Sequence, residues 1–308
     1  MSKEQILIIK LGALGDFLYA LGPMQAIRKK HRNAYITLLT RPSFLELGLR
    51  SNIFDEVIID KEPNKWDVVG ILRLRKTLRL KSFSRVYDLQ TSDRTGFYYK
   101  LIGPGQRPEW SGIVPNCNLY HHYERPTLIH TQERQREQLH IAGIREVLES
   151  DLSFMKENLD SFNLPQKFAL IIPGSSPNMK TKRWPAEKYG ELCQTLAQKD
   201  VVPIIIGSND DLDAIKIIIS TCPDALSLAG KTTIFDIPSL GRKACLCVGN
   251  DTGPMHLVAL TKCPTTAIFS TTSFPEKAAP RGSHVKLLVR KDLQSLSVGE
   301  VISTLNIL

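Results

Sequence analysis

Short apolar runs alternate with amphipathic stretches through most of the chain. Residues 6–9, 35–39, 56–59 and 85–89 are brief and rich in Ile, Leu, Val and Tyr, which predicts strands. The segments between them, 17–30, 42–49 and 68–80, carry helical periodicity. Gly22-Pro23 lies inside the first of these helices. Proline lacks an N–H and clashes with the preceding turn, so a kink or a restart is expected there. A second series starts at 168–172 and continues at 201–206, 226–228, 245–248, 265–269 and 285–289. In the helix after Trp184, Tyr189, Leu192, Cys193 and Leu196 recur at i, i+3, i+4 and i+7, which predicts one buried face.

Strand and helix in alternation predict an α/β protein with parallel sheets covered by helices on both faces. The stretch 156–165 is polar and ends in proline, and the boundary is placed within it: residues 1–160 form one domain and 161–308 the other. Both halves read as Rossmann-like domains facing each other across a cleft. Ligands of such sheets bind outside the carboxyl ends of the strands. Two Gly-rich turns, Gly12–Gly15 and Gly249–Gly253, are therefore expected to line that cleft.

The second of these turns is the most informative. Gly249-Asn250-Asp251-Thr252-Gly253-Pro254-Met255-His256 follows a predicted strand and opens a predicted helix. Backbone N–H groups at a helix start form an anion site, commonly for phosphate. Asp251 and Thr252 add a carboxylate and a hydroxyl. His256 lies one turn after Thr252 on the same face; it either packs or reaches the phosphate. In Pro173-Gly174-Ser175-Ser176 a strand again ends in glycine and hydroxyls. Lys180-Thr181-Lys182-Arg183 then precedes a helix opened by Pro185. Lysine is a compact charge suited to phosphate, so this strand end and its basic cluster read as a phosphate site; the other reading is a solvated charge run on a loop. In Gly207-Ser208-Asn209-Asp210-Asp211, a metal-binding DxD pattern is rejected, since acids are favoured at a helix start anyway. One of these acids remains a candidate partner for a ribose hydroxyl.

The first turn, Lys10-Leu11-Gly12-Ala13-Leu14-Gly15-Asp16, lacks the GxGxxG spacing of dinucleotide binders. Asp16 starts a helix. It reads either as the N-cap, which the motif alone favours, or as a general base. No Ser-His-Asp arrangement, HExxH or P-loop pattern occurs. His121, His122 and His130 cluster in a polar stretch without metal spacing and read as surface residues.

Composition narrows the class little. With 42% hydrophobic and 23% charged residues, this is an ordinary soluble composition. Forty Lys and Arg against 31 Asp and Glu give a formal charge of +9. The excess suits anionic partners or serves only solubility. Met1–Gln5 has no signal-peptide layout and no apolar run is long enough to span a bilayer, so a cytoplasmic protein is expected. Six cysteines without CxxC spacing read as reduced and mostly buried.

Taken together, these residues resemble the heptosyltransferase family of glycosyltransferases (family 9). The resemblance is carried by Leu11-Gly12-Ala13-Leu14-Gly15-Asp16, Lys182-Arg183-Trp184-Pro185 and Asn250-Asp251-Thr252-Gly253-Pro254-Met255-His256. Val86-Tyr87-Asp88-Leu89-Gln90 and Arg134-Gln135-Arg136-Glu137-Gln138-Leu139 add to it. It runs from about Ile6 to beyond Phe269. It implies a GT-B fold in which the C-terminal domain binds a nucleotide sugar, typically ADP-heptose. The N-terminal domain would receive a growing lipopolysaccharide core. Transfer would invert the anomeric centre without a metal or other cofactor. Asp16 matches the family's catalytic base and Lys182 its phosphate-binding lysine. Ser175 and Ser176 match hydroxyl residues near the diphosphate. Asp211 matches an acid near the ribose. Asp251, Thr252, Gly253 and His256 match the donor-binding turn, with Lys10, Gly12 and Gly15 on the acceptor-side loop. The implied partners are a nucleotide sugar and an anionic glycolipid; nucleic acid is not expected. The basic amphipathic stretch 72–81 reads either as a solvated helix face or as a peripheral contact with the inner leaflet of the inner membrane. Other readings are a transferase for another nucleotide sugar and glycan, a nucleotide-sugar epimerase, and a non-catalytic sugar or nucleotide binder.

Overall fold

The computed structural model describes residues 3–103, 105, 107–122, 128–175 and 182–305. The chain divides into two compact units, Met1–Asp151 and Leu152–Leu308.

In the first unit the elements are β1 (Gln5–Ile9), α1 (Leu14–Lys30), β2 (Tyr35–Thr40), α2 (Leu45–Arg50), β3 (Glu56–Ile59) and α3 (Val68–Leu80). They continue with β4 (Arg85–Asp88), α4 (Asp93–Ile102), β5 (Glu109–Gly112), β6 (Leu119–Tyr120) and α5 (Thr131–Ile141). The strands form one parallel sheet in the order β3-β2-β1-β4-β5-β6. Ile6, Leu7, Ile8 and Ile9 of the central strand are fully buried. A strand covered on both faces by crossover helices carries apolar residues on both sides. Leu74 and Leu78 of α3 and Tyr98 and Ile102 of α4 pack with Leu7, Ile9, Leu39 and Trp110 into the core.

The second unit contains β7 (Phe168–Ile172), α6 (Ala186–Ala197), β8 (Val202–Ile205), α7 (Leu212–Thr221), β9 (Leu226–Ser227) and α8 (Asp236–Lys243). It continues with β10 (Leu246–Asn250), α9 (Gly253–Ala259), β11 (Thr265–Ser270), α10 (Pro275–Ala278), β12 (Val285–Arg290) and α11 (Val298–Ser303). Its sheet is also parallel, in the order β12-β11-β10-β7-β8-β9. Counted from its own first strand, this is the 3-2-1-4-5-6 order of the first unit and of the dinucleotide-binding fold. Both sheets therefore have one topological switch point, between β1 and β4 and between β7 and β10. The face Tyr189, Leu192, Cys193 and Leu196 of α6 lies in the core, as its period predicts.

Several expectations change. The division between units falls after Asp151 rather than at 160. Arg242 of α8 donates to the carbonyls of Leu152 (2.6 Å) and Met155 (2.7 Å). The Glu157 N–H donates to Ser239 Oγ at 2.8 Å. These bonds tie the segment after 151 to the second unit. Helix α1 runs through Gly22-Pro23 without a restart. The Gly22 N–H donates to Ser150 Oγ (3.2 Å), and a Cβ at Gly22 would lie 2.3 Å from the Leu148 carbonyl oxygen. His121 and His130 are buried, at 3% and 1% exposure. His121 pairs with Glu137 at 3.2 Å, and His130 Nδ1 accepts the Gln132 N–H at the start of α5. Of these three, only His122 is exposed. All six cysteines are free, and all but Cys245 are buried.

Candidate functional site

At the switch point of the second sheet the tips of β7 and β10 are tied together by one side chain. Asn250 is fully buried. Its amide donates to the Pro173 carbonyl beyond β7 (2.6 Å), while its Oδ1 accepts the Trp184 N–H (3.1 Å) and the Tyr189 hydroxyl (3.0 Å). Trp184 Nε1 in turn donates to the Leu296 carbonyl at 3.0 Å. The basic segment before α6 is thereby anchored over the strand tips, where an extended loop would otherwise move.

Among the described residues two cations lie on that segment. Lys182 Nζ contacts Asp251 Oδ2 at 2.8 Å. Arg183 donates to Ser175 Oγ (3.1 Å) and to the Ser175 carbonyl (3.0 Å), and stands 3.3 Å from Asp211 Oδ1. Asp211 is buried, and its other oxygen accepts from the Ser208 N–H and hydroxyl at 3.0 and 2.9 Å. Gly174 makes this packing possible, since a Cβ there would lie 2.6 Å from Asp211 Oδ2. Thr252 is the N-cap of α9 in extended conformation and makes no side-chain cap bond. Pro254 occupies the first turn, where its missing N–H costs nothing. His256 follows one turn later, 7% exposed.

A cavity of about 530 Å³ opens beside these groups. Gly174, Ser175, Gly207, Asp211 and Thr252 stand in its wall, with Ile234 and Ile237 as apolar lining. Apolar walls with a few convergent polar groups and a volume of several hundred Å³ are the properties of a small-ligand site.

The switch point of the first sheet is built differently. Lys10 is only 2% exposed, and its Nζ donates to the Leu89 carbonyl at 3.1 Å. The Leu11 N–H donates to Gln90 Oε1 at 2.9 Å. Burial lowers the Lys10 pKa, against attraction from Asp16 and Asp88. Asp88, at the tip of β4, is fully buried. Its Oδ1 accepts the N–H groups of Gln90 (3.1 Å) and Thr91 (3.0 Å). Burial pushes its carboxyl up to about 6. Gln138 of α5 donates to the Asp88 carbonyl (3.0 Å) and to Ser111. Gly12 has φ +119°, and a Cβ there would lie 2.6 Å from the Phe44 ring.

Asp16 is not the N-cap. That position is Ala13, because α1 begins at Leu14. Asp16 lies in the first turn, half-buried, with Gly15 preceding it. Its carboxylate accepts no hydrogen bond and joins no ion pair among the described residues.

Comparison with known proteins decides what this architecture is. Residues 71–297 match glycosyltransferase family 9 (heptosyltransferase). The chain belongs to that family. It is a glycosyltransferase with the GT-B fold. The lipopolysaccharide core heptosyltransferase OpsX of Haemophilus influenzae is 25% identical over 288 residues, which cover 87% of this chain and 79% of that protein. Among solved structures, a family 9 glycosyl transferase from Veillonella parvula superposes with a TM-score of 0.83 at 19% identity, covering 98% of this chain and 95% of the other. The E. coli ADP-heptose lps heptosyltransferase II gives 0.79 at 20% identity, covering 98% and 97%.

In this glycosyltransferase the fold gathers Ser175, Lys182, Asp211, Asp251, Thr252 and Gly253 around the second switch point. Ser176 lies outside the described residues. Lys10, Gly12, Gly15 and Asp16 gather at the β1–α1 turn of the first unit, but Lys10 is directed into the β4 tip and not outward. Two organising residues escaped the sequence assignment. Arg183 stands beside Lys182 in the same basic cluster, so its charge was visible and its contact with Asp211 was not. Asn250 belongs to the Gly-rich motif, yet its three partners lie 61 to 77 positions away.

Proposed function

We propose that this family 9 enzyme transfers heptose from ADP-heptose to an anionic lipopolysaccharide-core acceptor, with inversion at the anomeric carbon and without a metal. The observation that carries the donor half is the juxtaposition of Lys182, Arg183 and the Thr252–Gly253 turn beside the 530 Å³ cavity. Similarity to the ADP-heptose heptosyltransferase II and to OpsX supports the choice of sugar and acceptor.

In this reading the nucleotide lies in the cavity, with Asp211 near its ribose and Ser175, Ser176 and Thr252 near the diphosphate. Lysine has three N–H donors. One is held by Asp251, which aims the ammonium, and the others serve phosphate oxygens. His256 lies within a turn of the same phosphates. Asp16 removes the proton from the acceptor hydroxyl as its oxygen attacks the anomeric carbon opposite the diphosphate. The bond from that carbon to the phosphate oxygen breaks, and the negative charge left on the diphosphate meets Lys182, Arg183 and the Gly253 N–H. Fixed cations and dipoles placed where charge develops stabilise the transition state most. In this reading the leaving-group charge falls to protein cations. No helix among the described residues is long and apolar enough to cross a membrane. The enzyme meets its lipid-anchored acceptor at the cytoplasmic surface of the inner leaflet.

A thermal-shift panel of ADP, UDP, GDP and CMP in the presence of EDTA tests this. A ligand of the folded state at 100 times its Kd adds about 2.7 kcal/mol. ADP is expected to raise the Tm by several degrees and the others much less. Preference for UDP would assign another donor, and binding or turnover that needs added metal would overturn the charge assignment.

A further inference from the structure

The first unit carries a surface that the transfer chemistry does not use. Trp66 is 81% exposed, Val68 60%, Val69 58% and Leu72 55%. They stand together on the first turns of α3 and the residue pair before it. The helix buries only Leu74 and Leu78 on its inner side, so the whole outer face is presented to solvent. Basic residues surround the apolar group: Lys61 and Lys65 before the helix, Arg73 and Lys76 within it, all exposed. Lys65 Nζ lies 5.1 Å from the Trp66 ring centroid. Between residues 61 and 81 seven Lys and Arg face two acids, Glu62 and Asp67. Both acids are engaged: Glu62 forms a two-point pair with Arg41, at 2.5 and 2.9 Å, and Asp67 caps α3 through the Gly70 N–H.

We infer that this face docks on an anionic bilayer, with Trp66, Val68, Val69 and Leu72 among the headgroups and Arg73 and Lys76 on the lipid phosphates. A helix with Trp and aliphatic side chains beside Lys and Arg lies in the plane of a membrane interface. Each cation gains from the surface potential, while long basic side chains reach past the apolar contact to the phosphates. Charge density argues against a protein occupant, because the centre of a protein interface is depleted of Lys. A second copy of the chain would bring the same cations face to face. The inference rests on the lipid-anchored acceptor for its purpose, and its test contains no donor.

Tryptophan emission gives a local readout. Trp110 and Trp184 are buried, at 0% and 2% exposure, so a change on binding comes from Trp66. The full chain is mixed with phosphatidylglycerol-containing vesicles and with pure phosphatidylcholine vesicles, at about 0.1 M and about 1 M salt, where the screening length falls from about 10 to about 3 Å. Flotation with the anionic vesicles and a blue shift at low salt are expected, both lost at high salt. Arg73→Glu with Lys76→Glu is expected to lower partitioning about ten-fold or more, and Trp66→Ala with Leu72→Ser to lower it as well. Both pairs are exposed, and each variant should keep the wild-type Tm and ADP response. Equal partitioning into neutral vesicles, flotation without a Trp66 shift, or a shift that follows protein concentration without lipid would overturn the inference. Failure of ADP to bind would leave the vesicle result standing and would count only against the transfer reading.

Discussion

Replacing Asn250 by Ala should cripple the second unit. The substitution removes three hydrogen bonds, to the Pro173 carbonyl, the Trp184 N–H and the Tyr189 hydroxyl. Asn250 is inaccessible to solvent, and Trp184 and Tyr189 are buried with it, so water does not replace the lost partner. About 1 kcal/mol net for each bond and about 1 kcal/mol for the void give about 4 kcal/mol, against a typical total of 5–15 kcal/mol. For a unit of this size, 1 kcal/mol moves the Tm by roughly 2–4 °C, so a drop of about 8–16 °C is expected. Calorimetry measures it. Native-state hydrogen exchange of β7 and β10 amides assigns it to the second unit. Tyr189→Phe removes only one of the three bonds and should cost about 1 kcal/mol. ADP affinity should fall further in Asn250→Ala, because the Lys182–Arg183 segment loses its anchor. A loss below about 1.5 kcal/mol, or one equal to that of Tyr189→Phe, would refute the reasoning that this amide holds the strand tips together.

Other outcomes follow from the same geometry. Asp16→Asn should lower turnover by about 10²–10⁴-fold with ADP affinity unchanged; near-normal turnover in a heptosyl-transfer assay would remove Asp16 as the base. Lys182→Ala should weaken ADP binding and turnover together, since its ammonium is assigned to the ground-state diphosphate as well as to the leaving group; calorimetric titration with unchanged affinity would exclude it from the site. Asp88 has a folded pKa raised from 3.8 to about 6, so its ionised form costs stability above about pH 6, and that cost fades as pH falls toward 4. At about 1.4 kcal/mol per pH unit the ceiling is about 3 kcal/mol. Asp88→Asn, which can keep the bonds from Gln90 and Thr91, should therefore be relatively more stable at pH 7 than at pH 4. Urea unfolding that shows the same difference from wild type at both pH values would contradict the assignment.

Much of the fold is legible because it is written in local periodicity. The apolar runs at 6–9 and 168–172 sit within central strands of the two sheets, and the period at Tyr189, Leu192, Cys193 and Leu196 marks a core face. Helix α5 shows where that signal fails. Its inner face is Gln132, Gln135, Gln138 and Leu139, so no apolar stripe announces it. Gln138 is buried because it bonds Asp88 and Ser111, a reason lying 50 and 27 positions away. The buried His121 and His130 were missed for a like reason: His121 bonds Glu137, 16 positions away, and the His130 ring packs edge-on against Tyr19, far away in sequence. Strand β6 is two residues long, too short to show any alternation.

The chain by itself determined the alternation of strands and helices, the division into two halves and the glycine turns at strand ends, because these depend on side-chain period and backbone freedom within a few residues. Tertiary structure alone decided the strand order, and with it which turns share a switch point. It set Lys182 against Asp251, a separation of 69 positions, and drew Arg183 to Asp211. It also denied Asp16 the capping bonds its neighbourhood in sequence suggested. Those outcomes arise from parallel pairing of distant strands and from buried polar groups seeking partners, which no local pattern records.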